Sequence, residues 1–152
     1  MLLPRTSFSF EPTNASAALI VVDDEKLLLQ HRDHIEGIIY PGYWGCFGGA
    51  LDGDESPVAA LRRELKEELN LDAGEPSYFT AVNYDFRFCG KGTTLREYYV
   101  VPIASADIGR LVLGEGQGMA VFSPQEVFAL RDVIPFDLFA IWLYANKTAL
   151  AR

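Results

Sequence analysis

Three glutamates lie within five positions of one another, at Glu64, Glu67 and Glu68. On a helix these residues are neighbours, and like charges at that spacing cost a few tenths of a kcal/mol per pair. One explanation is a solvated acidic face that the adjacent basic side chains balance. The other is a divalent cation, because clustered carboxylates supply the hard oxygen ligands that Mg²⁺ prefers.

The segment around the glutamates carries the strongest helix signal in the chain. Ser56 is suited to the N-cap, Pro57 to the first helical position, and Asn70 to a left-handed residue at the end. The apolar stripe of the helix consists of Val58, Leu61, Leu65 and Leu69. A helical wheel at about 100° per residue places the glutamates on the flank of this stripe, beside the small Ala60, and not on the fully solvated side.

The spacing over a longer stretch favours the cation. From Gly49 to Leu71 the sequence resembles the Nudix box, Gly-x5-Glu-x7-Arg-Glu-U-x-Glu-Glu-x-Gly-U, where U is a bulky aliphatic residue. The matching positions are Gly49, Glu55, Arg63, Glu64, Leu65, Glu67, Glu68 and Leu71. Asn70 stands where the family has glycine, and Asn tolerates the left-handed conformation. Upstream, "WGCFGG" is similar to the family's W-x-x-P-G-G, with Phe47 in place of proline.

The order of elements is consistent with this resemblance. A strand, an acidic turn and a second strand are predicted over residues 16–33, a short strand around 44–47, and then the box helix. A Gly-containing hairpin, a strand at 119–122, a short capped helix and a buried amphipathic C-terminal helix follow. This order predicts a mixed sheet with helices on its faces. The resemblance implies an α/β (α+β) fold of the Nudix type, an α/β/α sandwich forming a single domain over residues 1–152.

The resemblance also implies a reaction and a set of ligands. Nudix enzymes hydrolyse a diphosphate linked to another moiety, with Mg²⁺ or Mn²⁺. Carried over to this chain, Glu64, Glu67 and Glu68 are the metal ligands, joined by the carbonyl of Gly49. Glu55 and Arg63 are expected to support the loop over the helix by a salt bridge or hydrogen bonds.

Two residues outside the box complete the candidate site. Glu115 lies in "LGEGQGM", where the flanking glycines allow the loop to approach a ligand closely. Its family position suggests a metal ligand or a base, and the alternative is a solvated loop residue. Which glutamate activates water is left open. Arg32, at the end of the second strand, either reaches a substrate phosphate or is only a charge at a strand end.

The substrate is expected to be a small diphosphate compound, with a nucleotide favoured by the aromatic residues near Trp44. Nucleoside triphosphates, oxidised nucleotides and nucleotide sugars all stay open, with release of a nucleoside monophosphate. The alternative function is a Nudix-fold module that binds a nucleotide metabolite without cleaving it, although such modules often lack box carboxylates. Isoprenoid diphosphate isomerisation would need a catalytic cysteine such as Cys46, but the surrounding pattern differs from that subgroup.

Composition and charge exclude several classes of partner. The net charge is −8 and the pI about 4.7, which argues against a nucleic-acid polymer or an anionic membrane as the partner. Two cysteines do not make a disulfide framework, and both Cys46 and Cys89 are expected to be small buried side chains. The N-terminus has no clear signal peptide, so we expect a cytoplasmic protein. A homodimer is compatible with the sequence.

Overall fold

A computed structural model describes residues 13–152 of the chain. Residues 1–12 of the N-terminal segment, on which the signal-peptide expectation rests in part, lie outside the described residues. No helix within residues 13–152 combines the length and the apolar character that crossing a membrane requires.

The described part of the chain folds into seven strands, four α-helices and two 3₁₀ turns. The strands are β1 (Thr13–Val22), β2 (Lys26–His31), β3 (Trp44–Gly45), β4 (Gly48–Ala50), β5 (Ser77–Asp85), β6 (Thr93–Ile103) and β7 (Gly118–Phe122). The helices are α1 (Pro57–Leu69), α2 (Pro124–Ala129), α3 (Pro135–Ala145) and α4 (Lys147–Leu150), and the 3₁₀ turns span Arg87–Cys89 and Ser105–Arg110.

The strands form one mixed sheet in the order β3-β2-β1-β6-β5, with β4 on β1 and β7 on β2. Strands β1 and β6 run parallel over ten residue pairs, and the other strand pairs are antiparallel. Strand β1 therefore lies at the centre of the sheet. It supports β4, which carries the first glycine of the box.

Helices cover both faces of the sheet because β1 is apolar on both sides. Ala18, Ile20 and Val22 pack with the apolar stripe of α1. The alternate residues Leu19 and Val21 pack on the other face, against α2 and α3. The predicted α/β/α sandwich with a mixed sheet is confirmed.

The box helix α1 begins and ends where local signals predict. The Ser56 hydroxyl accepts a hydrogen bond from the Ala59 N–H at 3.1 Å, and Pro57 occupies the first turn. At the other end Asn70 is left-handed, with φ 52°, and its N–H donates to the carbonyls of Leu65 and Lys66. Asn70 thus ends α1 in the left-handed conformation that asparagine tolerates.

Three expectations need correction. The short strand expected around 44–47 covers only Trp44–Gly45, and a second short strand, β4, begins at Gly48. The C-terminal helix is broken after Ala145, and its outer face is apolar, with Trp142 44% exposed. Cys46 is buried as expected, whereas Cys89 is exposed because its 3₁₀ turn lies at the tip of the β5–β6 hairpin.

Candidate active site

The loop before α1 is tied to the helix through Arg63. Its guanidinium binds both carboxylate oxygens of Glu55, at 2.7 and 3.0 Å, and the carbonyl of Ala50 at 3.2 Å. The bonds from Arg63, together with the N–H of Asp52, lower the pKa of Glu55 to about 2. Glu55 is therefore ionised at physiological pH. The loop between β4 and α1 is held over the helix by this network.

Glu64 lies between Arg63 and the backbone of Gly49. Its carboxylate accepts a hydrogen bond from Nη1 of Arg63 at 2.8 Å, and its side chain is 16% exposed. A Cβ atom built on Gly49 would stand 2.6 Å from Oε1 of Glu64. Because side chains do not tolerate such a distance, only glycine allows Glu64 to approach β4 this closely.

Glu68 is the buried carboxylate of the site, with 5% of its surface exposed. It accepts a hydrogen bond from the Gly48 N–H at 3.0 Å. Burial is the main cause that raises its pKa to about 8, and the charges of Glu64 and Glu115 act in the same direction. The fold therefore places a carboxyl group where its negative charge is unfavourable in the absence of a cation.

Glu67 is placed differently from the other two box glutamates. Its side chain is 61% exposed, and its ion pair with Arg63 measures 3.5 Å. Glu67 does not line the pocket that Glu64 and Glu68 share. The flank position predicted by the wheel thus fits Glu64 and Glu68, while Glu67 lies closer to solvent.

A pocket of about 290 Å³ brings most of the predicted site residues together. Its wall contains the carboxylates of Glu64, Glu68 and Glu115, together with Gly49 and Arg32. The complete lining consists of Gln30, Arg32, Asp33, Ile35, Ile38, Gly48, Gly49, Glu64, Glu68, Glu115 and Gly116. Residues up to 86 positions apart in the chain therefore meet at the end of β2 and the edge of α1.

Arg32 stands in the wall between this pocket and a second one. Its Nε is buried and has no hydrogen-bond partner among residues 13–152. A buried guanidinium donor without a partner is costly, so a ligand that accepts a hydrogen bond would be favoured there.

The second pocket, also about 290 Å³, is largely apolar and aromatic, and it shares Arg32 and Ile38 with the first. Tyr84 and Phe136 are stacked within it at a centroid distance of 4.2 Å. Tyr40 and Phe86 pack edge-on or tilted around Phe136. The pocket that contains the carboxylates thus shares two wall residues with an aromatic pocket.

A buried polar network behind the site was missed at the sequence level. Asp137 on α3 is fully buried and accepts hydrogen bonds from Nε of Arg96, the hydroxyl of Tyr98 and the N–H of Cys46, at 3.1, 2.6 and 2.9 Å. The last of these bonds fixes the backbone just before the box. The available signal was a single charged residue in the otherwise apolar run "PFDLFAIWLYA".

The donor set fits a hard divalent cation, although it is not arranged around one. Within residues 13–152, no three acidic, His or Cys side chains stand in an arrangement that would hold a metal ion as they are. Glu64 is engaged by Arg63 and Glu68 by the Gly48 N–H. Burial, and then the charges of Glu64 and Glu115, raise the pKa of Glu68, and a cation in the pocket would oppose both effects.

The mixed sheet between helices, with the box carboxylates against β4, defines a Nudix-type domain. The model of the NUDIX domain matches residues 12–142. The chain belongs to the Nudix family.

Comparison with individual proteins gives distant relatives. Over 109 residues the chain is 31% identical to the CTP pyrophosphohydrolase of Escherichia coli, covering 72% of this chain and 75% of that one. It is 40% identical over 45 residues to the 8-oxo-dGTP diphosphatase of Proteus vulgaris, covering 30% of this chain and 40% of the relative. The crystal structure of the MutT protein from Methanosarcina mazei Go1 is similar in fold, with a TM-score of 0.79 and 16% identity, over 93% of this chain and 99% of that one. Family membership and the names of both curated relatives support the predicted class, a Nudix pyrophosphohydrolase.

Proposed function

We propose that this protein hydrolyses a diphosphate bond in a nucleotide, releasing a nucleoside monophosphate, with Mg²⁺ or Mn²⁺ as the cofactor. The observation that carries this proposal is the pocket in which Glu64, Glu68 and Glu115 meet Nε of Arg32, a buried donor without a partner in the described part of the chain. Carboxylates suit a cation and a guanidinium suits a phosphate, so one pocket offers both halves of a metal–diphosphate complex.

In this proposal the box residues hold the cation. Glu64, Glu67, Glu68 and the carbonyl of Gly49 are its ligands, and Glu115 contributes as a further ligand or as the base. The cation, when bound, offsets the charge of the phosphates and favours ionisation of the attacking water. Glu67 has to turn inward from its exposed position, and its weak contact with Arg63 sets little against that movement.

Arg32 and the aromatic pocket are proposed to bind the rest of the substrate. A phosphate on Arg32 would place the adjoining nucleoside beside Tyr84 and Phe136, because Arg32 lines both pockets. The two curated relatives are named for CTP and for 8-oxo-dGTP, which are nucleoside triphosphates. We therefore favour a nucleoside triphosphate, in ordinary or oxidised form, over a nucleotide sugar.

Residues 1–152 are proposed to form one domain that acts in the cytoplasm on a small molecule. A nucleic-acid polymer is not the expected partner, since the net charge of −8 would oppose it. The protein acts as a monomer or a homodimer.

The test is a panel of nucleoside triphosphates, oxidised nucleotides and nucleotide sugars, incubated with and without Mg²⁺. We expect Mg²⁺-dependent release of a monophosphate from at least one of them. Binding without turnover, insensitive to Mg²⁺, would instead identify a nucleotide-binding module.

The metal assignment is tested by Glu67→Gln. We expect turnover to fall by orders of magnitude while the protein stays folded, because a neutral amide is a poor ligand for Mg²⁺. Glu75→Gln is the matched control, since Glu75 is 94% exposed and lies outside the pocket. Unchanged turnover in Glu67→Gln would remove Glu67 from the metal ligands.

A further inference from the structure

Glu115 is carried by a loop whose first part is fastened to the end of α1. The N–H of Val112 donates to the carbonyl of Leu69 at 3.0 Å, and that of Gly114 donates to the carbonyl of Glu68 at 2.8 Å. These carbonyls belong to the last turn of the helix, where no further helical N–H groups are available to donate to them. The loop thus reaches Glu115 from a fixed starting point.

The peptide plane that follows Glu115 is held from both sides. Its oxygen, the carbonyl of Glu115, accepts a hydrogen bond from Nε2 of Gln30 at 3.0 Å. Its nitrogen, the N–H of Gly116, donates to Oδ2 of Asp33 at 3.1 Å. Both polar atoms of one peptide group are therefore bound by side chains from β2 and the residues just after it.

Burial makes the Gln30 amide dependent on its hydrogen bond to the Glu115 carbonyl. The side chain of Gln30 is 4% exposed, so its amide has little access to water and depends on the protein for hydrogen bonds. Gly116 permits the close approach, because its φ is +95° and a Cβ there would stand 2.8 Å from the carbonyl of His31. The glycine and the buried glutamine together bring the loop onto β2.

Without these contacts the direction of the Glu115 side chain would be poorly determined. Glu115 is itself exposed and lies between Gly114 and Gly116, and glycine restricts the backbone less than any other residue. Fixing the plane of its peptide group fixes the backbone torsion that aims its Cα–Cβ bond. A rigid support of this kind is what a reacting group needs.

We propose that Gln30 and Asp33 are positioning residues that grip the peptide group between Glu115 and Gly116, and so aim the Glu115 carboxylate into the pocket with Glu64 and Glu68. This inference rests on the proposed function, in which Glu115 takes part in catalysis.

The first test is Gln30→Met, which removes the amide at nearly constant size. With the substrate found in the panel we expect kcat to fall by about 10- to 100-fold at unchanged KM, as for a misplaced reacting group. The matched control is Gln117→Met. Gln117 is exposed, and its Nε2 donates to the carbonyl of Arg32 at 2.8 Å, so this variant also removes one hydrogen bond between the same loop and the segment just after β2. The control should keep its kcat, and an equal loss in both variants would overturn the proposal.

A second pair separates hydrogen bonding from charge. Asp33→Asn keeps an oxygen acceptor for the Gly116 N–H, whereas Asp33→Ala does not. We expect Asn to retain kcat and Ala to lower it. Combining Gln30→Met with Glu115→Gln should then cause no loss beyond that of Glu115→Gln alone. Independent, multiplying losses would show that Gln30 does not act through Glu115.

A measurement without substrate keeps this inference distinct from the proposed function. In metal-free protein, Gln30→Met and Asp33→Ala should speed hydrogen exchange of the Gly116 amide by about tenfold, the worth of one net hydrogen bond, and leave the Gly114 amide unchanged. If the wild type cleaves nothing in the panel, the proposed function fails. The exchange rates then still test whether Gln30 and Asp33 hold the peptide group between Glu115 and Gly116. Unchanged exchange at Gly116 in both variants would show that they do not.

Discussion

Replacing Glu68 by glutamine removes a carboxylate that the fold keeps almost entirely out of water. The amide oxygen of glutamine can still accept the hydrogen bond from the Gly48 N–H, so the change isolates the charge. The pKa of Glu68 is raised from 4.5 to about 8. At 1.36 kcal/mol per pKa unit, the ionised form costs the native state roughly 4 kcal/mol at pH 8.

The sign follows from proton binding. Because the pKa is higher in the native than in the unfolded state, the native state binds more protons between about pH 4.5 and pH 8. The Glu68 carboxyl therefore lowers stability progressively over that window, and the cost is absent below it. Glu68→Gln should be more stable than the wild type at pH 8, by roughly 10 °C in Tm for a domain of this size, and equal to it at pH 4.5.

The assay is thermal unfolding of metal-free protein at a series of pH values, with Glu67→Gln as the control. Glu67 precedes Glu68 on the same helix but is 61% exposed, so its replacement should change Tm little at any pH. Added Mg²⁺ should raise the Tm of the wild type and reduce the advantage of Glu68→Gln. A gain independent of pH, or a loss of stability at pH 8, would refute the account of Glu68 as a charge held without its counter-ion.

Two further variants test how the site is supported. Gly114→Ala should cost about 1–3 kcal/mol of unfolding free energy and slow turnover, because its Cβ would stand 2.5 Å from the carbonyl oxygen of Glu67. The control is Gly109→Ala, whose Cβ would have no atom within 4 Å. Equal denaturation midpoints for the two variants would disprove the clash. Asp137→Ala should cost about 3–5 kcal/mol of unfolding free energy, since Arg96 is left buried without its partner. The control, Asp107→Ala, breaks only an exposed ion pair with Arg110. A loss of unfolding free energy below 1 kcal/mol for Asp137→Ala, measured by urea denaturation, would contradict this role.

What could be predicted from the sequence was set by local chemistry. The ends of α1 follow from Ser56, Pro57 and Asn70, each of which acts within one turn of its own position. The order of strands and helices along the chain, and the placement of helices on the faces of the sheet, follow from short apolar runs and their turns. The spacing of the box residues from Gly49 to Leu71 predicted membership of the Nudix family.

The contacts that could not be predicted join residues far apart in the chain. Arg96 and Asp137 are separated by 41 positions, and they meet only because α3 packs on one face of the sheet to which β6 belongs. Gln30 and Glu115 are 85 positions apart. No periodicity within either segment indicates such a partner, so the supports of the site become visible only in three dimensions. The greater exposure of Glu67 has the same origin, since it depends on what packs beside the helix.

Glu68 explains why the crowded carboxylates are compatible with a stable fold. Its side chain binds the Gly48 N–H, and its own carbonyl binds the Gly114 N–H. One residue therefore links β4 to the loop that carries Glu115. The backbone half of this link does not depend on charge, so it persists whether the carboxyl group is protonated, ionised or bound to a cation. Hence the position of the loop and the charge of the pocket can be changed separately, which is the reason that Gly114→Ala and Glu68→Gln should have opposite effects on stability.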